Sequence, residues 1–204
     1  MRSMLCTLAL LAIVTFTGCT LHSIPSNYEM KSQAESIVIG GLRFPEGGVP
    51  FFTKPVFGTD GYITINTIIA KNYREYRIGP TQEGGTYRFT VALPQGRYRV
   101  SELHWGDHVG SINGIFTVFE NGKVYYIGTL EVDKVLETPG QIAANFFMFG
   151  RGTIPLKCRI IDDYQRAMDY YAKTYPDLPG NAEKSIIYFK KDWDRSYNQF
   201  TPAR

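Results

Sequence analysis

The stretch that most restricts the fold is residues 86–132, where short runs of strict apolar and polar alternation are separated by tight turn signals. In Thr86-Tyr-Arg-Phe-Thr-Val-Ala-Leu93, the residues Tyr87, Phe89, Val91 and Leu93 alternate with Arg88, Thr90 and Ala92. That is the period of two required of a strand with one buried face. Pro94-Gln95-Gly96 turns the chain, and residues 97–103 resume with Tyr98 and Val100 on the apolar face and Arg97, Arg99 and Ser101 opposite. Residues 115–119, the turn Glu120-Asn121-Gly122-Lys123 and a strand over 124–132 repeat the plan. The expectation is two β-hairpins in succession, the second marked by Asn-Gly.

The other segments read as completing and covering that sheet. Ile37-Val-Ile39 is continuously apolar, as a strand covered on both faces would be, and Gly40-Gly41 signals a bulge or a close backbone approach before residues 42–44. Residues 45–55 form a turn-rich loop carrying Phe51-Phe52. Residues 62–69 alternate again, 71–78 form a weaker strand and 79–85 a loop. After Ile161 the period changes. Ile161, Tyr164, Ala167, Met168, Tyr171 and Tyr175 recur at helical spacing until Pro176, predicting one amphipathic helix of about four turns. Asp162 with Gln165 three residues on resembles a capping box. Residues 185–189 could add an edge strand, and 190–204 form a polar tail.

With 22 basic and 19 acidic side chains the net charge is +3, and the arginines are scattered singly. No basic run tracks a phosphate backbone, which argues against nucleic acid as partner.

The N-terminus has its own logic. Met1-Arg-Ser-Met4 carries one positive charge, residues 5–16 are uncharged and apolar, and Phe16-Thr17-Gly18 places small residues before Cys19. This resembles a bacterial lipoprotein signal peptide, with Phe16 where the lipobox usually has Leu, Val or Ile. An ordinary secretory signal or an uncleaved anchor is the alternative. The resemblance implies cleavage after Gly18, lipidation of Cys19 and a chain that lies outside the cytoplasmic membrane, held to a bilayer by several acyl chains. Thr20, in place of Asp, favours the outer membrane, on its periplasmic face or at the cell surface. Of the three cysteines, Cys6 would leave with the signal and Cys19 carry lipid, so that Cys158 could form no intrachain disulfide and is most simply a small buried hydrophobe.

The Ile-Val-Ile-Gly strand, Leu93-Pro-Gln-Gly-Arg-Tyr-Arg-Val100 and the Gly122-Lys-Val-Tyr-Tyr-Ile-Gly128 segment together resemble uncharacterised bacterial lipoproteins with a transthyretin-like (prealbumin-like) domain. That domain is also seen in carboxypeptidase regulatory modules. The resemblance implies an antiparallel β-sandwich over residues 36–161, following a signal peptide (1–18) and a lipid anchor with a flexible tether (19–35). A helix packed on the sandwich (162–176) and a C-terminal edge segment and tail (177–204) complete the chain. Such folds host unrelated roles, so the resemblance implies no activity.

The one constellation with chemical potential is Glu102-Leu-His-Trp-Gly-Asp-His108. Glu102 and His104 share a strand face, and Asp107 and His108 follow Gly106, so imidazole and carboxylate groups could converge on a divalent ion. The spacing matches no zinc motif, and a polar hairpin loop with Trp105 packed on the sandwich edge is the simpler reading. Asp162-Asp163 is explained by helix capping. No nucleophile elbow or phosphate-cradling loop is present. The reading is a lipid-anchored cell-envelope module, non-enzymatic and without cofactor, that binds an envelope protein or a glycan through its surface. The alternative is a metal-dependent hydrolase using residues 104–108.

Overall fold

The computed structural model describes residues 21–30, 34–44, 61–68, 73–105, 108–135 and 153–189. The strands are β1 (Ser36–Arg43), β2 (Tyr62–Thr67), β3 (Glu75–Ile78), β4 (Thr81–Glu83), β5 (Thr86–Leu93), β6 (Gly96–Trp105), β7 (His108–Val118), β8 (Val124–Val135) and β9 (Thr153–Ile161). The helix α1 (Tyr164–Thr174) follows, then the two-residue strands β10 (Glu183–Lys184) and β11 (Tyr188–Phe189). Among the described residues the fold is mainly β, with two sheets and one helix. One sheet runs β4-β5-β1-β8 and the other β3-β2-β6-β7. β9 joins them, pairing in parallel with β7 at residues 153–155 and antiparallel with β8 from Leu156 onward. The pairing is therefore mixed, since β1 and β8 are also parallel.

Inner faces of both sheets feed one core. Val38, Leu42, Phe89, Val91, Ile127 and Leu130 from the first meet Ile63, Ile65, Tyr98, Val100, Leu103 and Phe116 from the second. Cys158 lies in this core, fully buried, as a small apolar side chain should. A second cluster forms on the outer face of the first sheet, where Ile37, Ile39, Val124 and Tyr126 pack against Ala167, Met168, Tyr171 and Tyr175. β1 is thus covered on both faces, as its unbroken apolar run predicts. Gly40 and Gly41 fit the close approach expected of them: a Cβ on Gly40 would lie 2.3 Å from Phe89 Cζ, and the β1–β8 register shifts between Ile39 and Gly41.

Neither expected hairpin forms. β5 pairs with β1 and β4, whereas β6 pairs with β2 and β7, so Pro94-Gln95 carries the chain from one sheet to the other. The Asn121-Gly122 turn does the same between β7 and β8. Turn residues encode a reversal of direction, but they do not encode which neighbour the returning strand joins. Here the apolar faces of the consecutive strands meet across the core instead of side by side. The two crossings are tied together by the Gln95 N–H donating to Asn121 Oδ1 at 2.6 Å. Hairpins form instead between β4 and β5, which turn through Gly84-Gly85, and between β6 and β7, with Trp105 opposite His108.

Four further expectations are corrected. Residues 79–85 contain the short strand β4 at the sheet edge. α1 spans 11 residues, three turns rather than four. The stretch expected to be a flexible tether is, at residues 21–24, held on the domain. His22 N–H donates to Arg77 O (2.6 Å) on β3, Ile24 N–H donates to Thr90 O (3.3 Å) on β5, and Ser23 bridges Val91. This segment spans the gap between the edges of the two sheets and is itself clamped by Tyr175 OH donating to Ile24 O at 3.1 Å. Ile24 is buried there because the helix end covers it. On the opposite side, residues 183–189 close the seam between β8 and β7, with β10 on β8, β11 on β7, and Ser185 Oγ donating to Thr117 O (2.6 Å). The edge strand expected over 185–189 is confined to β11. Gly18, Cys19, the loop at 45–55 and the tail at 190–204 lie outside the described residues.

Candidate functional site

Two polar clusters stand out, one foreseen in the sequence and one not. The first is on the outer face of the second sheet. Glu102 and His104, two apart on β6, share that face as their spacing predicts, and His104 Nε2 lies 2.9 Å from Glu102 Oε2. Tyr62, opposite His104 on β2, stacks on the imidazole with ring centroids 4.2 Å apart and planes 13° from parallel. Arg77 of β3 sits over the Tyr62 ring at 5.3 Å. The result is a ladder of arginine, tyrosine, imidazole and carboxylate running across three adjacent strands. Asp107 lies outside the described residues, and His108 is placed only by its backbone pairing with Trp105. Among the described residues no group of three or more His, Cys, Asp or Glu side chains converges as metal ligands would.

The second cluster is buried under the N-terminus of α1. Arg88, on β5, is 2% exposed and Asp163, at the N-cap position, 8%. The guanidinium grips the carboxylate with both terminal nitrogens, Nη2 to Oδ2 at 2.7 Å and Nη1 to Oδ1 at 3.3 Å. Thr129 Oγ1 (2.6 Å) and Tyr126 OH (2.8 Å) also donate to Asp163 Oδ1, and the Asp163 N–H donates to Tyr126 OH at 2.9 Å. Burial alone would raise the Asp163 pKa, but the hydrogen bonds from Arg88, Thr129 and Tyr126 outweigh it and hold the carboxyl below its usual range. Burial, with the Asp163 hydrogen bond, pushes the Tyr126 phenol well above its ordinary value and keeps it a neutral donor.

Gly41 makes this geometry possible. It lies between Arg88 and Thr129 on β1, and a Cβ there would stand 2.6 Å from Thr129 Oγ1 and 3.0 Å from Arg88 Nη1. Further charges continue the pattern outward: Glu83 is 3.6 Å from Arg88 Nε, and Arg43 is 3.9 Å from Asp163 and 4.0 Å from Glu131. Glu131 in turn pairs with Arg159. Charges of alternating sign therefore cross the sheet from β4 to β9. Asp163 does not cap the helix with its side chain, contrary to the reading of the paired aspartates as caps. Its carboxylate points down to Arg88 instead, because an arginine with so little water access needs an anionic partner.

A cleft of about 330 Å³ beside this cluster is lined by Glu83, Thr86, Arg88, Arg166 and Asp169. Another, of about 290 Å³, lies by the Pro94 crossing and is lined by Arg74, Tyr76, Gln95, Arg97 and Tyr98 among others. Tyr98 donates to Pro94 O at 2.6 Å, and burial, with Tyr76 nearby, raises its phenol above the ordinary value.

The sequence carried one signal for the second cluster. Arg88 sits on the most regular strand of the chain, and alternation assigned it to an open face. Once α1 covers that face, the arginine is trapped, and the partner 75 positions away becomes necessary.

No family model matches the chain, and no curated protein matches it. Among solved structures, a leucine-rich repeat protein from Bacteroides thetaiotaomicron VPI-5482 is similar at 16% identity with a TM-score of 0.35, over 50% of this chain and 14% of that one. The chain thus spans about one seventh of the length of that protein, and a likeness at this score carries no argument about fold or function.

Proposed function

We propose that this is a lipid-anchored protein of the bacterial cell envelope, acylated on Cys19, whose transthyretin-like β-sandwich serves as a non-enzymatic binding or structural module for an envelope protein or a glycan. The observation that carries the reading is the uncharged apolar run at 5–16 followed by Thr17-Gly18-Cys19. The sandwich reading is supported by two sheets sharing one core, with β1 inserted between β5 and β8. Support for a binding or structural role comes from the partners of the polar groups. Arg88, Asp163, Thr129 and Tyr126 engage one another, and they dock the helix onto the sheet. Solvent-facing aromatics supply contact area: Tyr73 is 62% exposed and Phe119 58%. The test is fractionation of cells expressing the full chain and its Cys19→Ala variant. The wild type should sediment with outer membranes and the variant should not, and equal membrane association of the two would sink the reading.

A second reading, a metal-dependent hydrolase at residues 102–108, is favoured by one observation, the 2.9 Å contact between His104 and Glu102.

A further inference from the structure

We propose that residues 21–24 act as a short strap that holds the β3/β4 edge of the domain against the lipid bilayer, in place of a tether that lets it diffuse. The inference rests on the lipid-anchor reading above and deepens it by naming the face that meets the membrane.

Chain length decides where the domain can sit. Were residues 19–35 free, the domain would hang from about sixteen flexible residues with an r.m.s. span of roughly 20 Å. The domain instead begins to hold the chain at His22, through the backbone of Arg77, and at Ser23 and Ile24 through β5. Thr20 is then the one residue between the acylated cysteine and Leu21. Two residue steps span at most about 7 Å, which is close to the thickness of one headgroup layer, about 5–7 Å. With acyl chains of Cys19 in the hydrocarbon, Leu21 is held within about 7 Å of a residue that sits in the interfacial layer. Leu21 fits that place. It is apolar, 45% exposed, and lies against Gly79, at the corner where β3 passes into β4. An exposed leucine at an interface is stabilised by the lipid it meets. The strap is also anchored from behind, because Tyr175 at the end of α1 donates to Ile24 O. Pulling it off would unseat the helix end as well as the sheet edges. The opposite seam, closed by residues 183–189, lies about four strand spacings away, or roughly 15–20 Å further from the lipid.

The experiment uses the full chain, acylated in bacterial cells and reconstituted into phosphatidylethanolamine and phosphatidylglycerol vesicles containing headgroup-proximal brominated lipid. A bimane label is placed at Thr81→Cys, on exposed β4, or at Glu183→Cys, on the exposed far seam; Cys158 is fully buried and does not compete. Emission should be lost at position 81 and kept at 183. Inserting about twelve Gly and Ser residues between Thr20 and Leu21, with an r.m.s. span of roughly 20 Å, should restore emission at 81 while the protein still floats with the vesicles. Vesicle-bound, acylated protein with equal quenching at both positions, or with none at either, overturns the strap. Intact-mass measurement on the same sample separates that from failure of the anchor: Cys19 without acyl mass overturns the lipid reading itself.

Discussion

Substituting Asp163 by Asn should be among the most damaging single changes in the described fold. The exchange keeps the shape of the side chain and removes its charge, leaving the Arg88 guanidinium, 2% exposed, with Glu83 at 3.6 Å as its nearest remaining anion. Breaking a buried ion pair from one side costs about 3–5 kcal/mol, a large share of the roughly 5–15 kcal/mol that holds a typical domain together. With a urea m-value of about 2 kcal/mol/M for a chain of this size, the midpoint should fall by roughly 1.5–2.5 M. The pH dependence gives an independent check. Because the folded carboxyl titrates below its unfolded value of about 3.9, the stability it confers is fully present above that value and is lost as pH falls through the folded pKa. Wild-type stability should therefore decline, as pH falls below about 4, more steeply than that of Asp163→Asn. Replacing both partners, as Arg88→Met with Asp163→Leu, should cost clearly less than either single change, since an apolar pair leaves no buried charge unpaired. Urea titrations of the wild type, Arg88→Met, Asp163→Leu and the double variant close the cycle, with Asp163→Asn measured beside them. A cost below about 1 kcal/mol for Asp163→Asn, or strict additivity in the double variant, would refute the claim that this pair locks the helix to the sheet.

Other outcomes follow from the same packing. Gly41→Ala would bring a methyl group within 2.6 Å of Thr129 Oγ1, and the crowding should cost about 1–3 kcal/mol in urea unfolding. Tyr175→Phe removes the hydrogen bond to Ile24 O and should cost about 0.5–1.5 kcal/mol, with hydrogen exchange accelerating at His22 and Ile24 before the rest of the sheet. If residues 102–108 hold a metal, zinc should raise the thermal midpoint of the wild type and not that of His104→Ala or His108→Ala. Equal midpoints with and without zinc in the wild type retire the hydrolase reading.

Faces were legible in the sequence, and partners were not. Period-two alternation placed Tyr87, Phe89, Val91, Tyr98 and Val100 in the core, and the unbroken Ile37-Val-Ile39 run marked a strand covered on both sides. The helical stripe of Ala167, Met168, Tyr171 and Tyr175 is the buried face of α1. These signals are local, since each residue reports the environment on its own side of a strand or helix. Strand pairing is a long-range choice among surfaces that look alike, which is why Pro94-Gln95-Gly96 and Asn121-Gly122 read as hairpin turns although they cross between sheets. The same limit hid the Arg88 and Asp163 pair. Arg88 and Thr90 alternate as if solvated, and they are buried because a helix begun some seventy residues later lies over them. Residues 21–24 carry almost no local signal for the same reason: their order comes from backbone bonds to two strand edges that the fold alone brings together. On the 102–108 stretch, the strand period correctly put Glu102 and His104 on one face, while the stacking of Tyr62 on His104 depended on which strand became the neighbour.

The claim on which the rest of the functional account depends is the lipid on Cys19, and it is best tested by mass spectrometry of the N-terminal peptide from protein purified out of bacterial membranes. The account predicts a chain that starts at Cys19 and carries acyl mass on that residue. A chain that retains Met1, or one that starts at Cys19 with an unmodified thiol and amine, would contradict it.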